Sequence, residues 1–127
     1  MQSTTKQFGD QGEEIAAKYL EGIGFTIVER NYRSKVGEID LIATKGRLLI
    51  FCEVKSRFSL LYGQPAEAVT KKKIWHIRSV ASRYLTQYMR IKHLYDDFDI
   101  RFDVLELVFS GTSHENEFTV NHLEDAF

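Results

Sequence analysis

The chain has one cysteine and one proline among its 127 residues, and no run of about 18 consecutive apolar residues that would cross a bilayer as a helix. Without a second thiol there is no intrachain disulfide and no cysteine metal cluster. Cys52, set in the apolar run LLIFCEV, reads as a small hydrophobe, which points to a cytoplasmic protein. The opening MQSTTKQFGDQ lacks the apolar segment of a signal peptide and reads as a short frayed lead-in over residues 1–7. No membrane partner is expected. The four histidines, His76, His93, His114 and His122, show no paired metal-ligand spacing and receive no ligand role. The chain also has little net charge, at -1, which argues against a uniformly basic nucleic-acid protein.

That average hides an asymmetry. Residues 1–93 hold 16 Lys and Arg against 9 Asp and Glu, a balance of +7, whereas residues 94–127 hold 1 against 9, a balance of -8. A basic face is therefore compatible with a neutral chain. Nine Phe, six Tyr and one Trp supply bulk for a core, and a domain of this length buries roughly two-thirds of its unfolded surface. A single domain spanning residues 1–127 is expected, with no internal repeat or linker.

From about Phe8 to Gly22 small and apolar residues recur at helical spacing, and Gly22 and Gly24 offer left-handed positions that stop a helix. FTIVERNYR, GEIDLIAT and LLIFCEVKSR then read as three antiparallel strands, with Gly37 and Gly46 in the turns. SLLYGQP reads as a loop. AEAVTKKKIWHIRSVASRYLTQY carries Val69, Ile74, Ile77, Val80, Ala81, Tyr84 and Leu85 near a 3.6-residue period, a second helix. FDIRFDVLELVF forms a fourth strand and FTVNHL a short fifth. The fold class is α/β in the order α-β-β-β-α-β-β: a mixed, mainly antiparallel sheet of five strands flanked by helices. The long crossover makes strands three and four parallel.

A two-residue turn at Gly46-Arg47, with glycine first as a type II′ turn prefers, sets the register between the second and third strands. Residues whose numbers sum to 93 then face each other: Ile42 meets Phe51, Asp40 meets Glu53, and Glu38 meets Lys55. One face carries Ile39, Leu41, Ala43, Ile50, Cys52 and Val54 and must be buried. The other is apolar near the turn and ionic at the far end. Two carboxylates on directly opposed residues repel each other unless a cation, Lys55 or both compensate, and their spacing suits one hard cation, Mg²⁺ or Mn²⁺. On the first helix Glu13 shares a face with Ala16, Ala17 and Leu20 and leans toward the sheet, whereas Glu14 points to Lys18 as a solvated pair. Lys55 projects from the same strand face as Glu53, placed to orient an attacking water or stabilise phosphate charge, and Arg57 one step on is placed to hold a flanking phosphate. The competing reading is an ordinary Glu38–Lys55 ion pair with Asp40 and Glu53 as edge-strand charges that block aggregation.

The stretches GEEIAAKYL, RNYRSKVGEIDLIA, FCEVKSR, GQPAEAVTKKK, RFDV and HLEDAF, in this order and spacing from Gly12 to Phe127, resemble the YraN-like family of small bacterial proteins. That family resembles the restriction-endonuclease-like PD-(D/E)XK superfamily, nearest in layout to Holliday-junction resolvases. The resemblance implies a catalytic set of Glu13, Asp40, Glu53 and Lys55, with Asp40, Glu53 and Glu13 as metal ligands for Mg²⁺ or Mn²⁺. It further implies a metal-dependent endonuclease hydrolysing phosphodiester bonds, with branched or otherwise structured DNA as the substrate in view. The superfamily also contains members that bind without cutting, so a non-catalytic nucleic-acid-binding or scaffolding protein is the alternative.

Lys71, Lys72 and Lys73 open the second helix and, with His76, Arg78 and Arg83 further along it, suit contacts to backbone phosphates, though the same run fits the solvated face of an amphipathic helix. Lys73 also matches a lysine of the family, and Asn31, Arg33, Arg101 and Asp103 match positions that a structural network explains equally well. Trp75, beside Ile74 and Ile77, is expected to pack in the core. Nucleic acid, DNA in the first place, is the expected partner, and a homodimer is left open because a junction has two-fold geometry.

Overall fold

The computed structural model describes residues 5–58, 70–92, 98–109 and 118–127. Its elements follow the expected order: α1 (Thr5–Gly22), β1 (Thr26–Ser34), β2 (Gly37–Lys45), β3 (Leu48–Phe58), α2 (Lys71–Lys92), β4 (Asp99–Phe109) and β5 (Phe118–Leu123). The loop expected over SLLYGQP and the residues 66–69 expected to open the second helix lie outside the described residues. No helix among the described residues is long and apolar enough to cross a membrane.

Helix α1 is already helical at Thr5, inside the stretch expected to fray. It ends in a Schellman motif: Gly24 N–H donates to Glu21 O and Phe25 N–H to Leu20 O, with Gly24 in the left-handed region at φ 102°. Of the two glycines expected to stop the helix, only Gly24 takes that role; Gly22 is the last helical residue. Phe25, just beyond the motif, packs with Leu20 in the core and sets the angle at which the chain enters the sheet.

The five strands form one sheet in the order β1-β2-β3-β4-β5, antiparallel throughout except for the parallel β3/β4 pair. Gly46 has φ 59° and Arg47 a negative φ, as a type II′ turn requires. The resulting register pairs Lys45 with Leu48, Ile42 with Phe51 and Leu41 with Cys52. There the β2/β3 ladder stops. The expected next pairs, Asp40 with Glu53 and Glu38 with Lys55, do not form. Meanwhile β2 stays paired with β1 as far as Ser34↔Gly37, and β3 with β4 as far as Phe58↔Phe109. The sheet therefore splits between β2 and β3, at the end that carries the charges.

Two cores sandwich the sheet. On one face Ala16, Ala17 and Leu20 of α1 pack on Leu41, Ala43, Ile50, Cys52 and Leu105. On the other, Ile77, Val80, Ala81 and Tyr84 of α2 pack on Ile42, Leu49 and Phe51. Ile39 departs from the expected alternation and joins the α2 core, as does its register partner Tyr32. Asn31, immediately before Tyr32, sits in the left-handed region at φ 52°, which breaks the pleat of β1 and turns the following side chain to the opposite face. Thr70 caps α2, its hydroxyl accepting from Lys73 N–H at 3.1 Å. Trp75 is 60% exposed, contrary to the packing expected for it. The buried stripe of α2 runs through Ile77, Val80, Ala81 and Tyr84, and a residue two positions before Ile77 falls on the far side of the helix.

Candidate functional site

Where the sheet splits, Asp40 turns its carboxylate into the gap. Its Oδ2 accepts from Val54 N–H at 2.8 Å, replacing the backbone partner that β2 no longer supplies. Asp40 and Glu53 both open toward α2, on the side of the sheet where Ile42 and Phe51 meet that helix. They line an open cleft of about 450 Å³ with Glu38, Lys72, Lys73 and His76. Lys73 Nζ lies 2.6 Å from Glu53 Oε1, with the lysine side chain 43% exposed and the glutamate 11%. Helix α2 thus delivers an ammonium onto the carboxylate that opens the E-V-K stretch.

The electrostatics of this cleft are strained. Burial pushes the Asp40 carboxyl up to about 7, the Glu53 charge adds to it, the Val54 N–H opposes it, and Glu13 and Glu38 contribute smaller upward pushes. Glu13 is thereby tied to the site although α1 packs on the opposite face. The split sheet leaves no strand pairing between them at that point. Its position on α1 depends on close contact: a Cβ on Gly12 would stand 2.1 Å from Ser56 Oγ and 3.3 Å from Leu107. The glycine preceding Glu13 lets the helix lie against β3 and β4 at that turn.

The other expected participants are placed as follows. Lys55 is half-buried two residues beyond Glu53 on the same strand face, but among the described residues it is Lys72 and Lys73, not Lys55, that line the cleft. Arg57 is committed to the buried Glu106, with Nε 3.3 Å from Oε2 and Nη2 3.4 Å from Oε1, and Asn121 donates to the same carboxylate. Lys71 is exposed at the start of α2. Glu14 pairs with Arg30 of β1 at 2.8 Å instead of pointing to Lys18, because α1 lies along the sheet and the guanidinium reaches it. Glu38 pairs across the β1/β2 ladder with Arg33 at 3.6 Å, so the ordinary Glu38–Lys55 pair is replaced by a different one. Neither β2 nor β3 is an edge strand, which removes the aggregation-blocking account of Asp40 and Glu53.

Arg101 and Asp103 do form a structural network. Asp103 is fully buried, takes Arg101 Nε and Nη2 at 2.8 Å each, His122 Nε2 at 2.7 Å and Asp125 N–H at 3.1 Å. Burial opposes its charge, but these donors outweigh it and hold the carboxyl below its ordinary value. Cys52 is buried, and burial first, then the charges of Asp103, Asp40 and Glu53, pushes its thiol well up, which leaves it an inert hydrophobe.

Sequence reading expected His76 only as a phosphate contact of the helix run, not as a neighbour of the carboxylates, and did not single out Glu38 as a cleft residue. The usable signal for His76 was its offset of three from Lys73, which places both on one side of α2.

A five-stranded mixed sheet between two helices, split at a cluster of carboxylates with a lysine upon it, defines the class: a small α/β protein with an acidic cleft at the open end of its sheet. The chain belongs to the uncharacterised protein family UPF0102, whose profile matches residues 12–107, and the YraN-like resemblance is thereby borne out. It is 41% identical to a UPF0102 protein of Clostridium kluyveri across 100% of this chain and 98% of that one. It is 43% identical to one of Clostridium perfringens over the same shares, and 42% identical to one of Alkaliphilus oremlandii over 96% and 98%.

Proposed function

We propose that this chain is a metal-dependent phosphodiesterase acting as an endonuclease on nucleic acid, with structured DNA the first substrate to test. The observation that carries the reading is the pair of carboxylates, Asp40 and Glu53, half-buried at the split of the sheet. There burial and then the Glu53 charge raise Asp40 to about 7, and a cationic ammonium already sits at 2.6 Å from Glu53. Such a cluster favours positive charge.

The donor set suits a hard cation. Among the described residues no three of His, Cys, Asp and Glu are gathered closely enough to hold an ion by themselves. Mg²⁺ commonly takes only one or two carboxylates, with water and substrate phosphate completing the octahedron, and Asp40 and Glu53 supply two. Mg²⁺ or Mn²⁺ bound there would lower the pKa of a bound water and polarise a phosphodiester. The protein's own part is to hold Asp40 through Val54 N–H, to add the Glu13 charge from α1, and to supply cations for the phosphate, Lys72 at the cleft and Lys55 beside Glu53 on β3, while Lys73 is held by Glu53. The second reading, a nucleic-acid-binding protein that does not cut, draws support from the Lys73–Glu53 contact, since an ammonium offsets carboxylate repulsion without any metal.

Thermal-shift titration with Mg²⁺ and Mn²⁺, followed by nicking assays on branched and linear DNA, tests the proposal. Wild type is stabilised by metal and cuts; Asp40→Ala/Glu53→Ala loses both responses. Nucleic-acid binding without metal response or cutting overturns catalysis and leaves the binding reading.

A further inference from the structure

The β1–β2 turn and the second half of α2 enclose a groove of about 900 Å³. Its described lining carries three cations, Arg33, Lys35 and Arg83, with the hydroxyls of Ser34, Ser82 and Thr86, and no carboxylate. At its end Tyr32 is braced, its hydroxyl donating to Gln87 Oε1 at 3.1 Å and its ring standing edge-on to Tyr84 at 5.1 Å. The groove is continuous with the carboxylate cleft. A smaller cleft of about 430 Å³ between them shares Arg33, Ser34 and Lys35 with the groove, and Gly37 and Glu38 with the cleft. Along α2 the same path runs through Lys72, His76, Ser79 and Arg83, at i, i+4, i+7 and i+11, one side of a helix.

From these observations we infer that the Arg33/Lys35/Arg83 groove is a binding track for a nucleic-acid phosphodiester backbone, which leads the strand into the Asp40/Glu53 cleft. This assignment rests on the nucleic-acid reading above and adds the surface that delivers the substrate. Planar guanidiniums and hydroxyl donors suit phosphate oxygens, and a carboxylate-free wall suits a polyanion. Lys72 to Arg83 spans roughly 16 Å of helix, long enough for two or more successive phosphates of a backbone laid along it. Of the basic residues singled out by sequence, Arg57 and Lys73 are engaged by Glu106 and Glu53; the groove adds Lys35 and Arg83, together with Arg33, whose guanidinium also contacts Glu38 at 3.6 Å.

The test is fluorescence anisotropy in EDTA with labelled single-stranded DNA, single-stranded RNA and duplex DNA of about 20 nucleotides, a length exceeding one binding site. The groove variant Arg33→Gln/Lys35→Gln/Arg83→Gln is compared with wild type and with Lys18→Gln/Lys45→Gln/Arg47→Gln, which removes the same charge elsewhere. Circular dichroism checks that both variants fold, and single Lys35→Gln and Arg83→Gln variants repeat the comparison. The groove variant is expected to bind about tenfold or more weaker, with a salt dependence shallower by about two to three phosphate contacts, and the control variant to bind within about twofold of wild type. The DNA and RNA arms show which backbone is held more tightly. Equal weakening of both triple variants, or unchanged binding by the groove variant, overturns the track while leaving the nucleic-acid reading intact. Wild type that binds none of the three overturns both.

Discussion

Lys73 Nζ of α2 stands 2.6 Å from Glu53 Oε1 of β3, a contact between residues twenty positions apart that joins the helix to the open end of the sheet. The ammonium occupies the side of Glu53 that faces the cleft, so it neutralises the cluster in the absence of metal. Lys73→Gln is expected to lower stability in EDTA slightly, by about 1 kcal/mol or less because the lysine side chain is 43% exposed. It should also enlarge the stabilisation produced by Mg²⁺, since Glu53 is released for the cation. A melt series in EDTA and in millimolar Mg²⁺ checks it; an unchanged metal response contradicts competition for Glu53.

Asp40 makes stability fall as pH rises. Its folded pKa of about 7 lies above the ordinary 3.8, so between those values the folded state holds a proton that the unfolded state has released. The unfavourable charge is absent below pH 3.8 and fully expressed above about 7. Asp40→Asn keeps an acceptor for Val54 N–H and removes the charge. It is expected to stabilise the metal-free protein at pH 8 by on the order of 1–3 kcal/mol and to be nearly neutral near pH 4. Urea melts at the two pH values measure the difference.

Asp103 acts in the opposite direction. Its carboxyl lies below the ordinary value, so the network with Arg101 and His122 is fully stabilising at neutral pH and is lost as pH falls through the folded pKa. Asp103→Ala removes the buried acceptor that Arg101 and His122 share and frees Asp125 N–H, which ties the C-terminal residues to β4. A loss on the order of 3–5 kcal/mol is expected, together with faster hydrogen exchange at Asp125 and Ala126.

Gly12 is a packing requirement. Gly12→Ala gains up to about 1 kcal/mol of helix propensity but drives a methyl onto Ser56 Oγ, where an overpacking cost of about 1–3 kcal/mol is typical. A net loss of stability is expected, and Ser56→Gly in the same chain should recover most of it. Equal losses with and without the Ser56 change would show that the clash lies elsewhere.

Trp75 is the sole tryptophan and is 60% exposed. Its fluorescence should peak near that of free tryptophan, be quenched readily by acrylamide, and shift little on unfolding. A blue-shifted, protected emission would place it in a core after all.

Much of the fold was legible because its signals are local. Leu20, Ala17 and Ala16 recur with the turn of a helix, Ile42 and Phe51 alternate with the pleat of a strand, and Gly24 and Gly46 occupy the left-handed positions of a helix stop and a hairpin turn. A hairpin turn sets every pair along its ladder, so the register down to Leu41 and Cys52 followed from two residues. That Asp40 and Glu53 come close was legible for the same reason, though the strand pairing expected between them does not form.

The sequence by itself determined the element order, the parallel β3/β4 crossover and the gathering of carboxylates on the central strands, all of which follow from periodicity and turn chemistry over a few residues. Only the tertiary structure decided that β2 leaves β3 after Leu41, that Asp40 takes Val54 N–H in the gap, that Lys73 meets Glu53, and that Arg57 turns to Glu106. These depend on which charged groups are brought together when two helices close on opposite faces of a twisted sheet. Coulomb attraction and desolvation act on distance in space, and no spacing along the chain records that distance.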